Sequence, residues 1–198
     1  MTRRYVGWMA LSCLALGSVS CKSSQPGAAG TTDSGVKEGT AMTGETGSKD
    51  ATAQSLECTL SVPPRLKVGE PVPLLFKLTN RSAQPLFVLE WHTPLEGLLS
   101  NALEVTRDGA PVPYEGRMVK RGAPTAEDYA AIASGASVEA EVDVSLGYDM
   151  KQPGTYRITP RGRLMDVALQ KEGLPRGLDQ FQEQTLKCPT VETTLVAP

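Results

Sequence analysis

Histidine is the residue that this chain has least of, with His92 as the only one among 198 residues. Aromatic side chains are also few: three Phe, five Tyr and two Trp. One histidine cannot supply the pair that a His-Glu-x-x-His zinc site needs, and so few aromatics disfavour a glycosidase cleft. Neither a Gly-x-Ser-x-Gly elbow nor a Gly-x-x-x-x-Gly-Lys-Ser/Thr phosphate loop occurs. The sequence therefore predicts a protein that is not an enzyme, with no catalytic residue, no metal site and no cofactor.

An excess of positive charge is lacking as well. The chain carries 20 Lys and Arg against 22 Asp and Glu, a formal net charge of −2, and no basic stripe. We therefore exclude nucleic acid as a partner. Adjacent carboxylates such as Glu127 and Asp128 are interpreted as solvated faces, although an enzyme built on dispersed carboxylates remains a third functional hypothesis.

A long hydrophobic run is missing too, because the apolar stretch Tyr5–Val19 is too short to span a bilayer well. Two arginines precede it, so residues 1–20 are interpreted as an export signal. The sequence around Cys21 resembles a bacterial lipobox, which implies a lipidated cysteine and a membrane anchor in the bacterial cell envelope. Ser18 departs from the usual aliphatic residue, which leaves an ordinary secretory signal as the alternative. Lys22 in place of Asp favours the outer membrane or the cell surface.

Residues 21–54 lack the apolar side chains that a folded core requires. They are rich in Gly, Ser, Thr and Ala, with Val36 and Met42 as their only large apolar residues. Such a segment cannot offset its ordering entropy, so we predict a disordered tether with a reach of roughly 30 Å behind the lipidated Cys21. Residues 55–198 are predicted to form one β domain.

Short strands and turns account for most of that domain. Val72–Asn80 has Leu74, Phe76 and Leu78 on one face and Leu75 and Lys77 on the other. Pro85–Trp91 is apolar on both faces, and Asp108-Gly109 is a hairpin signal. Further strands are predicted over Ser137–Ser145, Gly154–Pro160 and Leu186–Val196. The fold class is therefore all-β, an immunoglobulin-like β-sandwich that follows the signal peptide and the tether.

Three smaller features complete the fold prediction. Gly154-x-Tyr156 is compatible with a tyrosine corner. Thr125–Gly135 is expected to form one or two helical turns, with Thr125 as N-cap and Asp128 at the third position. Leu174–Leu186 is a second helical candidate.

Only two cysteines remain once the leader is set aside. Cys58 and Cys188 flank nearly the whole domain, and an exported chain meets an oxidising compartment. We therefore predict that they form a disulfide between the first and last strands. Two buried free thiols are the alternative.

The stretch "EWHTPLEG" decides between two interpretations of His92. A catalytic or metal-binding imidazole would need partners, and only Glu90 and Glu96 are close in sequence. A structural histidine needs one or two hydrogen bonds in a loop, and Thr93-Pro94 restricts the backbone to extended or turn geometry. We interpret His92 as a loop or interface residue.

Four phrases together resemble the non-catalytic N-terminal prodomain of bacterial deuterolysin-type metalloproteases, the peptidyl-Lys metalloendopeptidases. They are "LEWHTPLEG", "LEVTRDGAPVPYEG", "VKRGAPTAEDYAAIASGASV" and "VDVSLGYDMKQPGTYRI". The resemblance covers roughly Thr59 to Ile158. In that family a zinc protease domain follows the prodomain, whereas about forty residues without histidine follow Ile158 here. No catalytic residue therefore carries over.

The resemblance implies a binding module that acts in trans on a secreted zinc metalloprotease, as an inhibitor or a tether. The loop residues Lys120 and Arg121, together with His92, are then the expected contacts, because a lysine-selective pocket accepts a cation. The alternative for the two basic residues is that they are merely solvated. The alternative for the whole protein is a structural immunoglobulin-like surface lipoprotein without a protease partner.

Overall fold

The computed structural model describes residues 55–198, and this part of the chain is built from β-strands. The leader of residues 1–20 and the tether of residues 21–54, with Cys21, lie outside the described residues. Between Leu56 and Val196 there are thirteen strands: β1 Leu56–Ser61, β2 Arg65–Lys67, β3 Pro73–Asn80, β4 Leu86–Leu89, β5 Leu103–Arg107, β6 Ala110–Val112, β7 Tyr129–Ile132, β8 Ser137–Asp143, β9 Gly154–Pro160, β10 Arg163–Leu164, β11 Val167–Ala168, β12 Gln184–Thr185 and β13 Val191–Val196. Single turns of 3₁₀ helix lie at Pro94–Glu96, Ala126–Asp128, Val144–Leu146 and Leu178–Gln180.

The strands form two layers. One layer is the antiparallel sheet β1-β3-β8. The other contains the five-stranded sheet β2-β13-β9-β5-β6 and the three-stranded sheet β11-β4-β7, with the short pair β10-β12 beside them. Buried side chains of β3 contribute to the core against both partners, so the first sheet covers the two others. The all-β sandwich predicted from the sequence is confirmed.

Strand β3 shows why the sequence adopts this arrangement. Its alternate residues Leu74, Phe76 and Leu78 are each at most 1 % exposed. Period-two alternation places these side chains on one face, and burying each stabilises the fold by about 1.5–3 kcal/mol. Leu74 joins the cluster under the five-stranded sheet, while Phe76 and Leu78 join the cluster under the three-stranded sheet.

The hairpin and the tyrosine corner follow from local chemistry. Asp108 and Gly109 both have positive φ, 50° and 85°, as a two-residue hairpin turn between β5 and β6 requires. The Tyr156 hydroxyl donates a 2.9 Å hydrogen bond back to the carbonyl of Gln152. This is the bond that defines a tyrosine corner in immunoglobulin-like sandwiches.

The helical prediction for Thr125–Gly135 is wrong beyond its first turn. The carboxylate of Asp128 accepts from the backbone N–H of Thr125 at 2.6 Å, so the predicted cap exists. The turn ends there, and Tyr129–Ile132 pairs with β4 as a strand. Strand β4 thereby lies at the centre of its sheet, as expected for a run that is apolar on both faces. Leu174–Leu186 likewise forms one 3₁₀ turn and the short strand β12.

The disulfide between Cys58 and Cys188 is confirmed, with Cα atoms 5.1 Å apart. Cys58 lies on β1, as predicted, but Cys188 precedes the last strand, which begins only at Val191. Pro189 follows Cys188 and lacks the N–H that a continuous strand would use.

Candidate functional site

The turn after β4 is held by its backbone and by Thr93, not by the imidazole of His92. His92 has a φ of 61°, a conformation that few residues other than glycine adopt. Its backbone N–H donates to Glu96 Oε1 at 2.8 Å, and Thr93 Oγ1 donates to the carbonyl of Glu90 at 2.6 Å. The imidazole is exposed and makes no hydrogen bond to any residue in 55–198. The interpretation of His92 as a loop residue fits this geometry. The hydrogen bond that His92 donates comes from its backbone N–H and not from its imidazole.

Glu96 is the centre of this corner. Its side chain is 6 % exposed, and it accepts hydrogen bonds from the backbone of His92, from Ser100 Oγ at 3.3 Å and from the guanidinium of Arg121. A buried carboxylate needs such partners, because burial of an uncompensated charge is costly. Glu96 therefore fixes the turn to the loop that carries Arg121.

The side chain of Arg121 makes its contacts within the domain. Its guanidinium carbon lies 5.2 Å from the centroid of the Trp91 ring, and its side chain is 22 % exposed. A cation over an indole face adds to the ion pair with Glu96. The interpretation of Arg121 as merely solvated is therefore wrong, and its charge is already paired inside the domain.

A second carboxylate binds the indole of Trp91. The indole N–H donates to Asp128 Oδ1 at 3.0 Å. Burial acts to raise the pKa of Asp128, but hydrogen bonds from Thr125 and Trp91 and the positive charge of Arg121 together outweigh it, so the pKa is lowered. Burial first, then the negative charges of Asp128 and Glu96, raise the pKa of Glu90. The corner thus holds three carboxylates, and two of them, Glu96 and Asp128, interact with the guanidinium of Arg121.

Another carboxylate, Asp166, is fully buried and was not recognised from the sequence. It is 0 % exposed and accepts from Tyr129 Oη at 2.8 Å, from Arg176 at 2.6 Å and from the backbone of Gln182 at 2.8 Å. Burial and then the hydrogen bond to Asp166 raise the pKa of Tyr129 to about 12. The available signal was an acidic residue within the apolar run "LMDVAL". These contacts hold Leu174–Gln182 against the sheet.

Lys120 lies on an exposed loop that is fixed on both sides. Before it, the Val119 N–H donates to the carbonyl of Leu99 at 3.1 Å; after it, Arg121 binds Glu96. Lys120 is exposed and makes no salt bridge within the described part of the chain. The loop presents Lys120 beside Met118, which is 70 % exposed, and Val119, which is 39 % exposed.

Tyr114 builds the base of that loop. Its hydroxyl lies 2.8 Å from the carbonyl of Leu98 and 2.7 Å from that of Arg117. Its ring packs edge-on against Tyr148, with centroids 5.3 Å apart. Gly116 and Gly147 both lie so close that an added Cβ would sit within 2.8 Å of the ring. Only glycine leaves room for this ring, which explains two glycines that carry no positive φ.

Among residues 55–198, no cluster of three or more His, Cys, Asp or Glu side chains could hold a metal ion. The same residues include no helix long and apolar enough to cross a membrane. His92 is therefore not brought together with a ligand set in this region.

Comparison with known proteins gives a partial relationship. No protein-family model matches the chain. The chain is 42 % identical over 82 residues to an extracellular protease of Aeromonas hydrophila, which is 41 % of this chain and 23 % of that protein. It is 28 % identical over 88 residues to a neutral protease 2 homolog, MEP8, of Coccidioides posadasii, covering 43 % of this chain and 24 % of that protein.

Solved structures with a related arrangement are distant. The CARDB domain of the PF1109 protein from Pyrococcus furiosus matches 72 % of this chain and 94 % of its own, with 12 % identity and a TM-score of 0.33. A β-glucosidase from Listeria innocua matches 71 % of this chain and 16 % of its own, with 14 % identity and a TM-score of 0.30. The two sequence comparisons relate part of this chain to proteins named as proteases. The chain spans about a quarter of the length of those relatives.

Proposed function

We propose that this domain is a non-catalytic binding module that docks on a secreted zinc metalloprotease and restrains it in trans. The observation that carries the proposal is the fixed loop from Arg117 to Lys120, which exposes apolar and cationic side chains instead of burying them. The partial identity to two proteins named as proteases supports a protease partner. So does the resemblance of Thr59 to Ile158 to a deuterolysin-type prodomain.

The physical warrant is the low entropic cost of docking a preformed loop. Its conformation is set by the Tyr114 clamp on one side and by the Glu96–Arg121 pair on the other. A loop that is already ordered loses little freedom on binding, so a few contacts suffice for useful affinity. Lys120 is the contact of choice, because a pocket that selects lysine supplies a carboxylate for it.

Binding to immobilised mature deuterolysin-type protease tests this proposal. The purified full chain is expected to bind at micromolar concentration or below, while a heat-unfolded sample of the same chain does not. No binding by the folded chain would reject the protease partner and leave a structural surface module as the explanation.

We further propose that Cys21 carries lipid and that the domain is displayed from the cell envelope, at the outer membrane or the cell surface. Mass spectrometry of the mature N-terminus tests this directly. Diacylglyceryl on an N-terminal Cys21 supports anchoring; a mature chain that begins at any other residue contradicts it.

A further inference from the structure

Two exposed apolar segments meet at Tyr114. Leu146 is 77 % exposed and directly precedes Gly147, whose backbone carbonyl accepts from the N–H of Glu115 at 2.8 Å. Met118 and Val119 follow Glu115 on the loop that the Tyr114 hydroxyl holds. Leucine and methionine side chains this exposed, on two segments that both pack against Tyr114, are typical of an interaction surface.

Two cations flank the apolar pair on the loop. Arg117 and Lys120 are both exposed, and neither forms a salt bridge with any described residue. The neighbouring Arg121 differs, because Glu96 neutralises it. The loop is therefore apolar in its middle and positive at both ends, which is complementary to an apolar segment bordered by carboxylates.

The corner lies far from the point at which the described chain begins. The described chain enters β1 beside Asn80, at the end of β3, whereas Leu146 follows β8 beside Pro73, at the start of β3. Eight residues of strand separate the two ends by about 23 Å. Ser55, the first described residue, therefore lies at the opposite end of this sheet from Leu146.

Two acidic side chains next to the corner disfavour an anionic lipid surface. Glu115 and Asp149 are exposed and line the groove next to Tyr114 and Tyr148, together with Arg107. They would repel anionic headgroups approaching the same face. A protein segment can meet the cationic loop and avoid that groove, which a flat membrane cannot.

We infer that Met118, Val119 and Leu146, rimmed by Arg117 and Lys120, form one docking surface for a protein segment with apolar residues bordered by Asp or Glu. This deepens the proposed function, on which it rests for its choice of partner. Leu146, although distant in sequence from the Lys120 loop, supplies part of the binding energy. The partner segment is acidic.

A displayed peptide library, selected on the full chain, is the probe. We expect enriched peptides with two or more apolar residues bordered by Asp or Glu, and a synthetic example whose binding weakens as salt is raised. Leu146→Ser and Met118→Ser should each weaken its binding by roughly tenfold or more, since each removes a buried apolar contact. Leu169→Ser and Leu178→Ser, at exposed leucines elsewhere, are matched controls and should change nothing.

The contribution of charge is measured with Arg117→Ala and Lys120→Ala, and Lys171→Ala is their control. Peptides without acidic residues, or affinity that is unchanged by Leu146→Ser in a variant with wild-type circular dichroism, would overturn the inference. The inference would also be overturned if these substitutions weakened binding to vesicles containing phosphatidylglycerol and left peptide binding unchanged. If peptides bind at this surface and the protease does not bind at all, the proposed function fails and the docking surface stands. If the protease binds equally well to wild type and Leu146→Ser, the docking surface fails and the proposed function stands.

Discussion

Glu96 and Arg121 show how much one buried ion pair contributes at the scale of single residues. Their side chains are 6 % and 22 % exposed, whereas those of the pair Arg163–Glu183 are 60 % and 48 % exposed. Removing one partner of a buried pair leaves a charge without compensation, and the cost greatly exceeds that of losing a solvated pair.

We expect Glu96→Ala to lower the free energy of unfolding by about 2–4 kcal/mol, because it also leaves the His92 N–H and Ser100 Oγ without an acceptor. Glu183→Ala is the matched control and should cost less than about 1 kcal/mol. Urea unfolding followed by the fluorescence of Trp91 measures both. Equal losses in the two variants would contradict the central role of Glu96.

Glu90 makes stability depend on pH in the direction set by its raised pKa. Its protonated form is favoured by folding, so its contribution is fully present below the unfolded value of 4.5 and is lost as pH rises through the higher folded value. Glu90→Gln removes this titration. We expect the variant to be more stable than wild type near about pH 7 and equal to it below about pH 4.

Thermal unfolding of wild type and Glu90→Gln across that pH range tests the sign. The lowered pKa of Asp128 acts in the opposite direction in both proteins. Glu127→Gln, on the exposed neighbouring turn, controls for the loss of one negative charge. A variant that is less stable than wild type at neutral pH would contradict the account.

At the scale of elements, the loop that carries Lys120 depends on two glycines. Gly116→Ala would place a Cβ 2.6 Å from the Tyr114 ring, and Gly147→Ala would place one at 2.8 Å. Either change forces the ring or the loop to move. Gly122→Ala meets nothing within 4 Å and serves as the control on the same loop.

We expect Gly116→Ala and Gly147→Ala each to destabilise the domain by about 1–3 kcal/mol, as overpacking does elsewhere, and to weaken partner binding. Gly122→Ala should leave both unchanged. Near-ultraviolet circular dichroism of the tyrosines, with chemical unfolding, provides the readout. Wild-type spectra and stability in the two clamp variants would show that Tyr114 does not hold the loop.

Local chemistry explains which elements the sequence could predict. Three features depend on residues close in sequence and could therefore be predicted: the alternation in β3, the Asp108-Gly109 turn and the Tyr156 corner. The pairing of Tyr129–Ile132 with β4 was not, because its two alanines suit a helix and only the distant strand decides otherwise. Periodicity also could not show that Arg121 meets Glu96, 25 residues away.

At the scale of the whole molecule, one covalent link spans the domain. Cys58 and Cys188 are separated by 130 residues and tie β1 to the segment before β13. On the chain-entropy model, closing so long a loop stabilises the folded state by about 4–5 kcal/mol. We expect Cys58→Ser and Cys188→Ser to lower the melting temperature by similar amounts.

The double variant should lose no more than either single variant, since the same link is absent in all three. Calorimetry of the three proteins, with non-reducing peptide mapping of wild type, measures this. Additive losses would mean that the two side chains stabilise the domain mainly by separate packing.

The function of the whole molecule is most directly tested by inhibition kinetics. Increasing amounts of wild type, Lys120→Ala and Lys171→Ala are added to one mature deuterolysin-type metalloprotease while it cleaves a peptide substrate. The account predicts inhibition by wild type and Lys171→Ala alike, and an inhibition constant at least about tenfold higher for Lys120→Ala. Undiminished cleavage in the presence of micromolar wild-type protein would contradict it.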